Sequence, residues 1–334
     1  MRAVVAPRFG ASWELHEHHH DPDPGPRDVV VKVLASGICY TDVGQLHDHT
    51  YGCTFPRIPG HESVGKVVAR GSSVSHLALG DVVGVAYCQR WCGVCRYCIL
   101  GRYEHCTACS FTGITADGGH AELMIMDAGS VEKVPDGMDP VQAAPVFCAG
   151  FTVYSGICDA ELRPGERCAV IGVGGLGHLG VQYAAALGAE VVCVTNSEDK
   201  VKMLKELGAA HVLVSGGATA GEVLKRIGGV DVILNTANGV APDLLAGLRA
   251  YGRISLLGAC RYSFPVTPTQ MSFGKFKIMG SSQGPRHRLR EVLELHTRSK
   301  SRVIVEEYAL DDAVAAFERV RTGAARFRAV LVPQ

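Results

Sequence analysis

Between residues 167 and 280 short apolar runs alternate with longer stretches of helical spacing, and no other pattern in the chain restricts its fold as much. The runs at 168–171, 190–194, 211–214, 230–234, 253–257 and 277–280 read as strands. Those at 176–187, 200–207, 220–227 and 242–248 read as helices. Repeated strand–helix–strand units cross over with one hand and cover both faces of a sheet, so this half predicts a parallel, doubly wound α/β domain.

The first strand of that half runs into Gly172-Val173-Gly174-Gly175-Leu176-Gly177 and then into an apolar helix. Glycines so spaced allow a tight turn, close approach of backbone to a pyrophosphate, and packing of helix on strand, which points to a dinucleotide with its phosphates at the helix N-terminus. The next strand ends in Val194-Thr195-Asn196-Ser197, with Lys200 close behind. An acidic residue at that end would accept the ribose hydroxyls of NAD; Thr195, Asn196 and Ser197 can donate to a 2′-phosphate instead, and Lys200 adds charge. NADP(H) is therefore favoured over NAD(H). The competing reading has Glu198 or Asp199 curling back to the ribose.

The opening hundred residues differ in texture. Short strands at 29–34, 63–69 and 81–86, then 121–126, are separated by Gly and Pro and suit an irregular β-rich barrel. After residue 286 come a helix at 289–297, a strand at 303–308, a helix at 310–321 and a strand at 328–332. The last strand matches the barrel pattern and is expected to return to the first domain. At 334 residues the chain suits two domains, and its apolar fraction of 47% is ample for their cores. Lys and Arg balance Asp and Glu at 33 each, which offers no positive field for nucleic acid or an anionic membrane, so small-molecule partners are expected. Residues 1–6 read as a strand rather than a leader, and a cytoplasmic setting is expected. His18, His19 and His20 lie among Pro22, Pro24 and Pro26 and read as a solvated loop.

Cys92, Cys95, Cys98 and Cys106 are spaced C-x2-C-x2-C-x7-C. Short turns let three sulfurs converge while a returning loop brings the fourth, which suits one tetrahedral zinc with no open position, a structural site. Disulfides are the competing reading; a reducing compartment and an odd total of thirteen cysteines disfavour it, leaving metal ligation for some cysteines and ordinary burial for others such as Cys168 and Cys193. Three further potential ligands are dispersed: Cys39 in Gly37-Ile38-Cys39-Tyr40-Thr41-Asp42, His61 in Pro59-Gly60-His61-Glu62, and Cys148 in Pro145-Val146-Phe147-Cys148. Two thiolates and an imidazole leave the fourth zinc position open, as a Lewis acid requires, although spacing alone does not join them.

With the four-cysteine loop, Asp117-Gly118-Gly119 and the glycine turn, these motifs make the chain resemble, over essentially its whole length, the zinc-dependent alcohol dehydrogenases of the medium-chain dehydrogenase/reductase superfamily. The resemblance implies a GroES-like catalytic domain at 1–147 and 285–334, a Rossmann dinucleotide domain at 148–284, and two zinc ions per chain. It further implies a homo-oligomer, dimer or tetramer, with 266–273 a candidate interface. By the same resemblance Cys39, His61 and Cys148 hold the catalytic zinc, with Glu62 able to approach it. Asp42 orients His61, Thr41 passes the substrate proton, and Thr152 lies beside the nicotinamide. Tyr40, Tyr51, Tyr87, Trp91 and Phe111 are candidates to shape the substrate cleft.

The family pattern often has His directly after the first zinc cysteine and again five positions beyond it, ending a proton relay; here Tyr40 and Gly44 stand at those places. His47, water or the ribose hydroxyl would have to substitute. Together with the phosphate-friendly strand end, this favours an oxidoreductase that reduces aldehydes to alcohols with NADPH rather than one that oxidises simple alcohols. The alternatives are reduction of an activated C=C or C=N bond, and a zinc-stabilised binding or structural protein without turnover.

Overall fold

A computed structural model describes residues 1–48, 52–239, 241–258 and 263–333 of the chain, which folds into two compact units: Met1–Cys148 with Pro285–Thr297 and Arg302–Gln334, and Ala149–Gly284 with Arg298–Ser301.

The first unit is built around the strand Asp28–Ile38. Its alternate residues Val29, Val31 and Val33 point to one side, where they join Val67, Val83, Val85, Met124 and Met126 in a fully apolar cluster. Antiparallel partners flank it: Glu62–Arg70 and Leu123–Asp127 over its length, and Arg328–Val332 against its end. The chain's last strand thus pairs with the barrel, as its alternation predicts, and carries Val305–Ala309 beside it in parallel. Two register shifts opposite Glu62–Arg70 bend the central strand. Past the second, Ile38 joins a separate cluster with Trp13, Leu46, Phe317 and Leu331.

The second unit holds a parallel six-stranded sheet in the order His211–Val214, Glu190–Thr195, Arg167–Ile171, Val230–Asn235, Leu248–Leu256, Lys277–Gly280. Order reverses between Arg167–Ile171 and Val230–Asn235, the kind of crevice in which such sheets bind ligands. Apolar residues of the central strands, among them Ala169, Val192, Ile233 and Ile254, are fully buried, as expected of strands covered on both faces. The stretch 242–248 is not a helix: Leu244–Gly247 makes a single 3₁₀ turn, and the next strand starts at Leu248 rather than at residue 253. Gly247 lies so close to Leu224 that a Cβ there would sit 2.8 Å from the Leu224 Cβ, and Leu248 at once pairs with Val230 across a bulge. No room is left for two helical turns.

Cys88 and Cys109, expected to be ordinary thiols, form a disulfide between the short strands Cys88–Arg90 and Ser110–Phe111. The pair is invisible in sequence because its members are 21 residues apart and sit outside any metal-type spacing.

Candidate metal centre and cofactor turn

Cys39 immediately precedes the helix Tyr40–His47, where the exposed N–H groups of the first turn favour a thiolate. Asp42, in that turn, accepts the Cys39 backbone N–H through Oδ2 at 2.7 Å and turns Oδ1 towards His61 Nδ1 at 3.6 Å. His61 leads into the strand Glu62–Arg70 and is held from the other side by a ribbon of backbone. The Gly118, Gly119 and His120 amides donate to the carbonyls of Ile58, Gly60 and Pro59 at 2.7–3.0 Å, and Asp117 accepts from Ile58 N–H and Arg57. Gly60 has φ +98°, and a side chain on it would strike the His120 ring. That close approach is the physical reason for Asp117-Gly118-Gly119 beside Pro59-Gly60. Cys148 follows the 3₁₀ turn Ala144–Phe147, whose Phe147 ring fills the space that a side chain on Gly84 would take.

These separate segments converge. Ligand atoms of Cys39, His61, Glu62 and Cys148 lie within 4.8 Å of one another, and all four residues are buried. The two sulfurs are 3.9 Å apart, against about 3.8 Å for neighbouring thiolates on a tetrahedral zinc with 2.3 Å bonds. His61 is 1% exposed; Asp42 faces its Nδ1 at 3.6 Å, just beyond hydrogen-bond distance, and its Nε2 has no hydrogen-bond partner. An unpaired buried polar group costs about 1–3 kcal/mol, so a buried imidazole with Nε2 unpaired next to two thiols fits a metal ion. In the metal-free chain the Cys148 sulfur, by hydrogen bonding, pulls the Cys39 thiol down against burial. Burial acts against a charged His61, but Asp42 and Cys39 outweigh it and raise the imidazole.

Two buried residues around this group escape sequence reading. Arg328 donates Nη2 to Glu62 Oε1, with both side chains almost wholly buried. Burial pushes the Glu62 carboxyl up to about 7 although Arg328 opposes it, and Gly37 leaves the space that Glu62 occupies. His120, fully buried, accepts or donates at Nδ1 with Ser36 at 2.8 Å and sets Nε2 4.0 Å from Asp42 Oδ2; burial lowers its imidazole to about 4, so it is neutral. Only distance in sequence hides them, since nothing near residue 328 points to residue 62.

Thr41 Oγ1 stands 3.5 Å from Cys39 Sγ. His47 is exposed and six residues on, about 9 Å further along the axis and on another face, whereas Gly44 shares the Thr41 face. Tyr87 stacks edge-on against His61 at 5.6 Å, with Phe111 upon it at 4.8 Å. Tyr40 is exposed, Trp91 stacks on Tyr103 instead, and Tyr51 lies outside the described residues.

The four-cysteine loop converges as well: Sγ atoms of Cys92, Cys95, Cys98 and Cys106 lie within 4.8 Å, with pairs at 3.5–3.9 Å. The Val94 and Cys95 backbone N–H groups lower the Cys92 thiol to about 6. His18, His19 and His20 sit in an irregular stretch, with the His19 and His20 rings 4.3 Å apart.

In the second unit three of the four glycines in the turn have three different reasons. Gly172 has φ +84°, and a Cβ on it would lie 2.6 Å from Ala237 N; one on Gly177 would strike Gly172 O; around Gly174 there is open space. Gly175 and Leu176 complete the turn before the helix Gly177–Ala186. Thr236 Oγ1 donates to the carbonyls of Ile171 and Gly172, a clamp that sequence reading missed. At the next strand end Thr195 Oγ1 accepts from Ser197 N–H, Asn196 Oδ1 accepts from Ser215, and Lys200 Nζ reaches the Val173 carbonyl at 3.3 Å. Glu198 and Asp199 are exposed in a 3₁₀ turn. Thr152 is buried in the helix Ala149–Asp159. Among the described residues no single helix is long and apolar enough to cross a membrane.

Comparison with known proteins agrees with this geometry. The alcohol dehydrogenase GroES-like domain matches residues 25–136 and the zinc-binding dehydrogenase domain residues 175–298. An alcohol dehydrogenase of Moraxella sp. (strain TAE123) is 36% identical over 335 residues, 99% of each chain. The chain belongs to the zinc-dependent alcohol dehydrogenase family. An aldehyde reductase of Synechocystis sp. is 31% identical over 96% of each chain. The CAD of Helicobacter pylori, solved in complex with NADP(H), superposes with a TM-score of 0.87 at 25% identity, covering 99% of this chain and 97% of that one. The GroES-like and Rossmann fold expected from sequence is thereby established, and with it oxidoreductase chemistry on small-molecule alcohols or aldehydes with a nicotinamide cofactor.

Proposed function

We propose that the chain is an NADPH-dependent aldehyde reductase with two zinc ions, one held by Cys39, His61 and Cys148 and one by Cys92, Cys95, Cys98 and Cys106. The buried His61, with Nε2 unpaired beside two thiols and Nδ1 faced by Asp42, carries the reading. Cys39, His61 and Cys148 would hold a zinc ion whose Lewis acidity would polarise a carbonyl oxygen, and a bound nicotinamide would supply the hydride. Asp42 fixes the ring orientation of His61, and the Asp117–His120 ribbon fixes its position. Glu62, restrained by Arg328, is a carboxylate within reach of the same group. Thr41 Oγ1, two residues from Cys39, holds the proton that the product oxygen takes up. Tyr87 and Phe111 wall the site with apolar surface that excludes water.

The direction rests on the NADPH assignment. An imidazole at Gly44 would share the helix face of Thr41 and exchange its proton with solvent; without one, Thr41 exchanges through water and proton transfer at the substrate oxygen loses part of the usual 10²–10⁴-fold acid–base benefit in both directions. The cofactor preference rests on Asn196, Ser197 and Lys200, with the Lys200 ammonium at the glycine turn. We infer in addition a cytoplasmic homo-oligomer that uses residues 266–273, where Phe273 is 86% exposed.

The test is steady-state turnover of aliphatic, aromatic and terpenoid aldehydes with each cofactor. NADPH is expected to win, and Lys200→Ala to raise KM for NADPH about tenfold while leaving NADH unchanged, the loss of roughly one charge-assisted contact. A tenfold NADH preference overturns the cofactor assignment. Rapid ethanol oxidation near neutral pH overturns the direction, and a saturated carbonyl product from an enal would show C=C reduction instead.

A further inference from the structure

The Cys88–Cys109 disulfide brackets all four cysteines of the metal loop. Between them, from residue 89 to residue 108, only Gln89, Cys98 and Cys106 are buried; Val94 and Ile99 are 78% and 74% exposed. A segment with so little buried apolar surface has no core of its own and depends on cross-links for its shape. Gln89 Nε2, which donates to the Ile125 carbonyl at 3.0 Å, and the Arg90–Asp28 ion pair tie the neck to the barrel, but its two strands hold each other weakly. The strands Cys88–Arg90 and Ser110–Phe111 pair only through Cys88 with Phe111 and Arg90 with Ser110, with a register shift between, and a ribbon of that length is not independently stable. The disulfide closes this neck with its Cα atoms 6.6 Å apart.

Position gives the pair its reach. Cys88 follows Tyr87, whose carbonyl accepts the Thr112 N–H at 2.8 Å and whose ring packs between Phe111 and His61. The neck therefore adjoins both the loop and the aromatic wall of the buried metal group. Both its cysteines are half-buried, unlike the fully buried free thiols Cys168 and Cys193, so a small thiol or disulfide can reach them.

We propose that Cys88 and Cys109 are a site of reversible oxidation that locks the neck of the four-cysteine loop, the oxidant being a low-molecular-weight disulfide such as oxidised glutathione. One protein thiolate attacks the external disulfide, forming a mixed disulfide and releasing one small thiol. The second protein thiolate attacks the protein sulfur of that mixed disulfide and expels the other small thiol. Two protein thiols become one S–S bond while one external disulfide becomes two thiols, and the reverse exchange unlocks the neck. The assignment does not rest on the aldehyde-reductase reading, because neither its linkage nor its mechanical effect involves turnover.

The test uses full-length enzyme equilibrated in reduced and in oxidised glutathione buffers with zinc in excess, then digested for short times with trypsin and mapped after alkylation. In the oxidised buffer a linked peptide pair containing Cys88 and Cys109 is expected, and it should vanish in the reduced buffer. Cleavage after the exposed Arg96 and Arg102 should be about tenfold slower when the link is present, because a closed neck suppresses local opening. The Cys88→Ser/Cys109→Ser variant should cleave at the fast rate in both buffers. Complete alkylation of both thiols in the oxidised buffer overturns the proposal, as does a link that survives the reduced buffer. Equal cleavage of the wild-type enzyme in the two buffers overturns the locking role, and this readout stands even if the double variant fails to fold.

Discussion

In the loop from Cys92 to Cys106 four thiols come from one short stretch, with Cys92 exposed, Cys95 half-buried and Cys98 and Cys106 buried, while Cys39, His61 and Cys148 are gathered from three distant segments and are all buried. Both groups satisfy the distances a tetrahedral zinc requires, but their surroundings differ. The loop's sulfurs are served by local backbone, such as the N–H groups of Val94 and Cys95 on Cys92. The buried group is braced by side chains from elsewhere: Asp42 towards His61, Arg328 on Glu62, His120 behind Asp42. A closed four-thiolate set can only staple; a three-ligand set in a braced, dry pocket can do chemistry.

The largest expected effect separates the two directly. Cys148→Ala should reduce zinc from two ions per chain to one, lower kcat/KM by on the order of a thousandfold and lower the melting temperature, with proteolysis of the loop unchanged. Cys106→Ser should also remove one zinc and lower the melting temperature, but it should speed proteolysis of the loop while the folded fraction keeps kcat/KM within a few-fold. Metal analysis, proteolysis and kinetics on both variants decide it; interchangeable profiles would break the distinction.

Next in size is Arg328→Leu, which sharpens the claim that the buried group depends on remote bracing. It strips a buried carboxylate of its ion-pair partner, a change that typically costs about 3–5 kcal/mol. The pH dependence fixes the cause. Glu62 has a folded pKa already raised to about 7, so in the metal-free protein the folded state binds the extra proton and stability falls as pH rises from the unfolded value towards 7. Without Arg328 the folded value rises further, and the loss should continue to higher pH. Urea unfolding of zinc-stripped protein at pH 6 and pH 8 should show the variant's deficit widening at pH 8. A pH-independent deficit would mean lost packing only.

Much of this contrast is legible in the sequence, and the limit has a physical form. The strand–helix alternation and the glycine turn are local signals, and so is C-x2-C-x2-C, where a few residues of spacing already dictate geometry. Cys39, His61 and Cys148 carry no mutual spacing signal and are joined in sequence only by resemblance; barrel topology is what brings them together. Arg328, His120 and the Cys88–Cys109 pair belong to motifs of no recognisable type, because each acts through a partner between 21 and 266 residues away. The missed turn at 244–247 failed for the opposite reason: its local pattern is helical, and close packing of Gly247 on Leu224 overrides it.

The smallest effect tests how far the bracing extends. His120 touches no candidate ligand atom through a hydrogen bond; it holds Ser36, which in turn bonds Ser63, and faces Asp42 at 4.0 Å. Burial keeps its ring neutral, so it adds a dipole rather than a charge beside Asp42. His120→Phe preserves the ring packed near Trp13, whose centroid is 5.2 Å away, and removes only the polar contacts. One such contact is worth about 1 kcal/mol, which predicts chelator removal of the buried zinc about fivefold faster. The loop zinc should leave at its original rate, since no part of the His120 network reaches residues 92–106. If both ions leave faster by the same factor, His120 supports the unit as a whole and the bracing ends at Asp42; if only the buried ion responds, the polar network from Ser63 to Asp42 belongs to the metal centre.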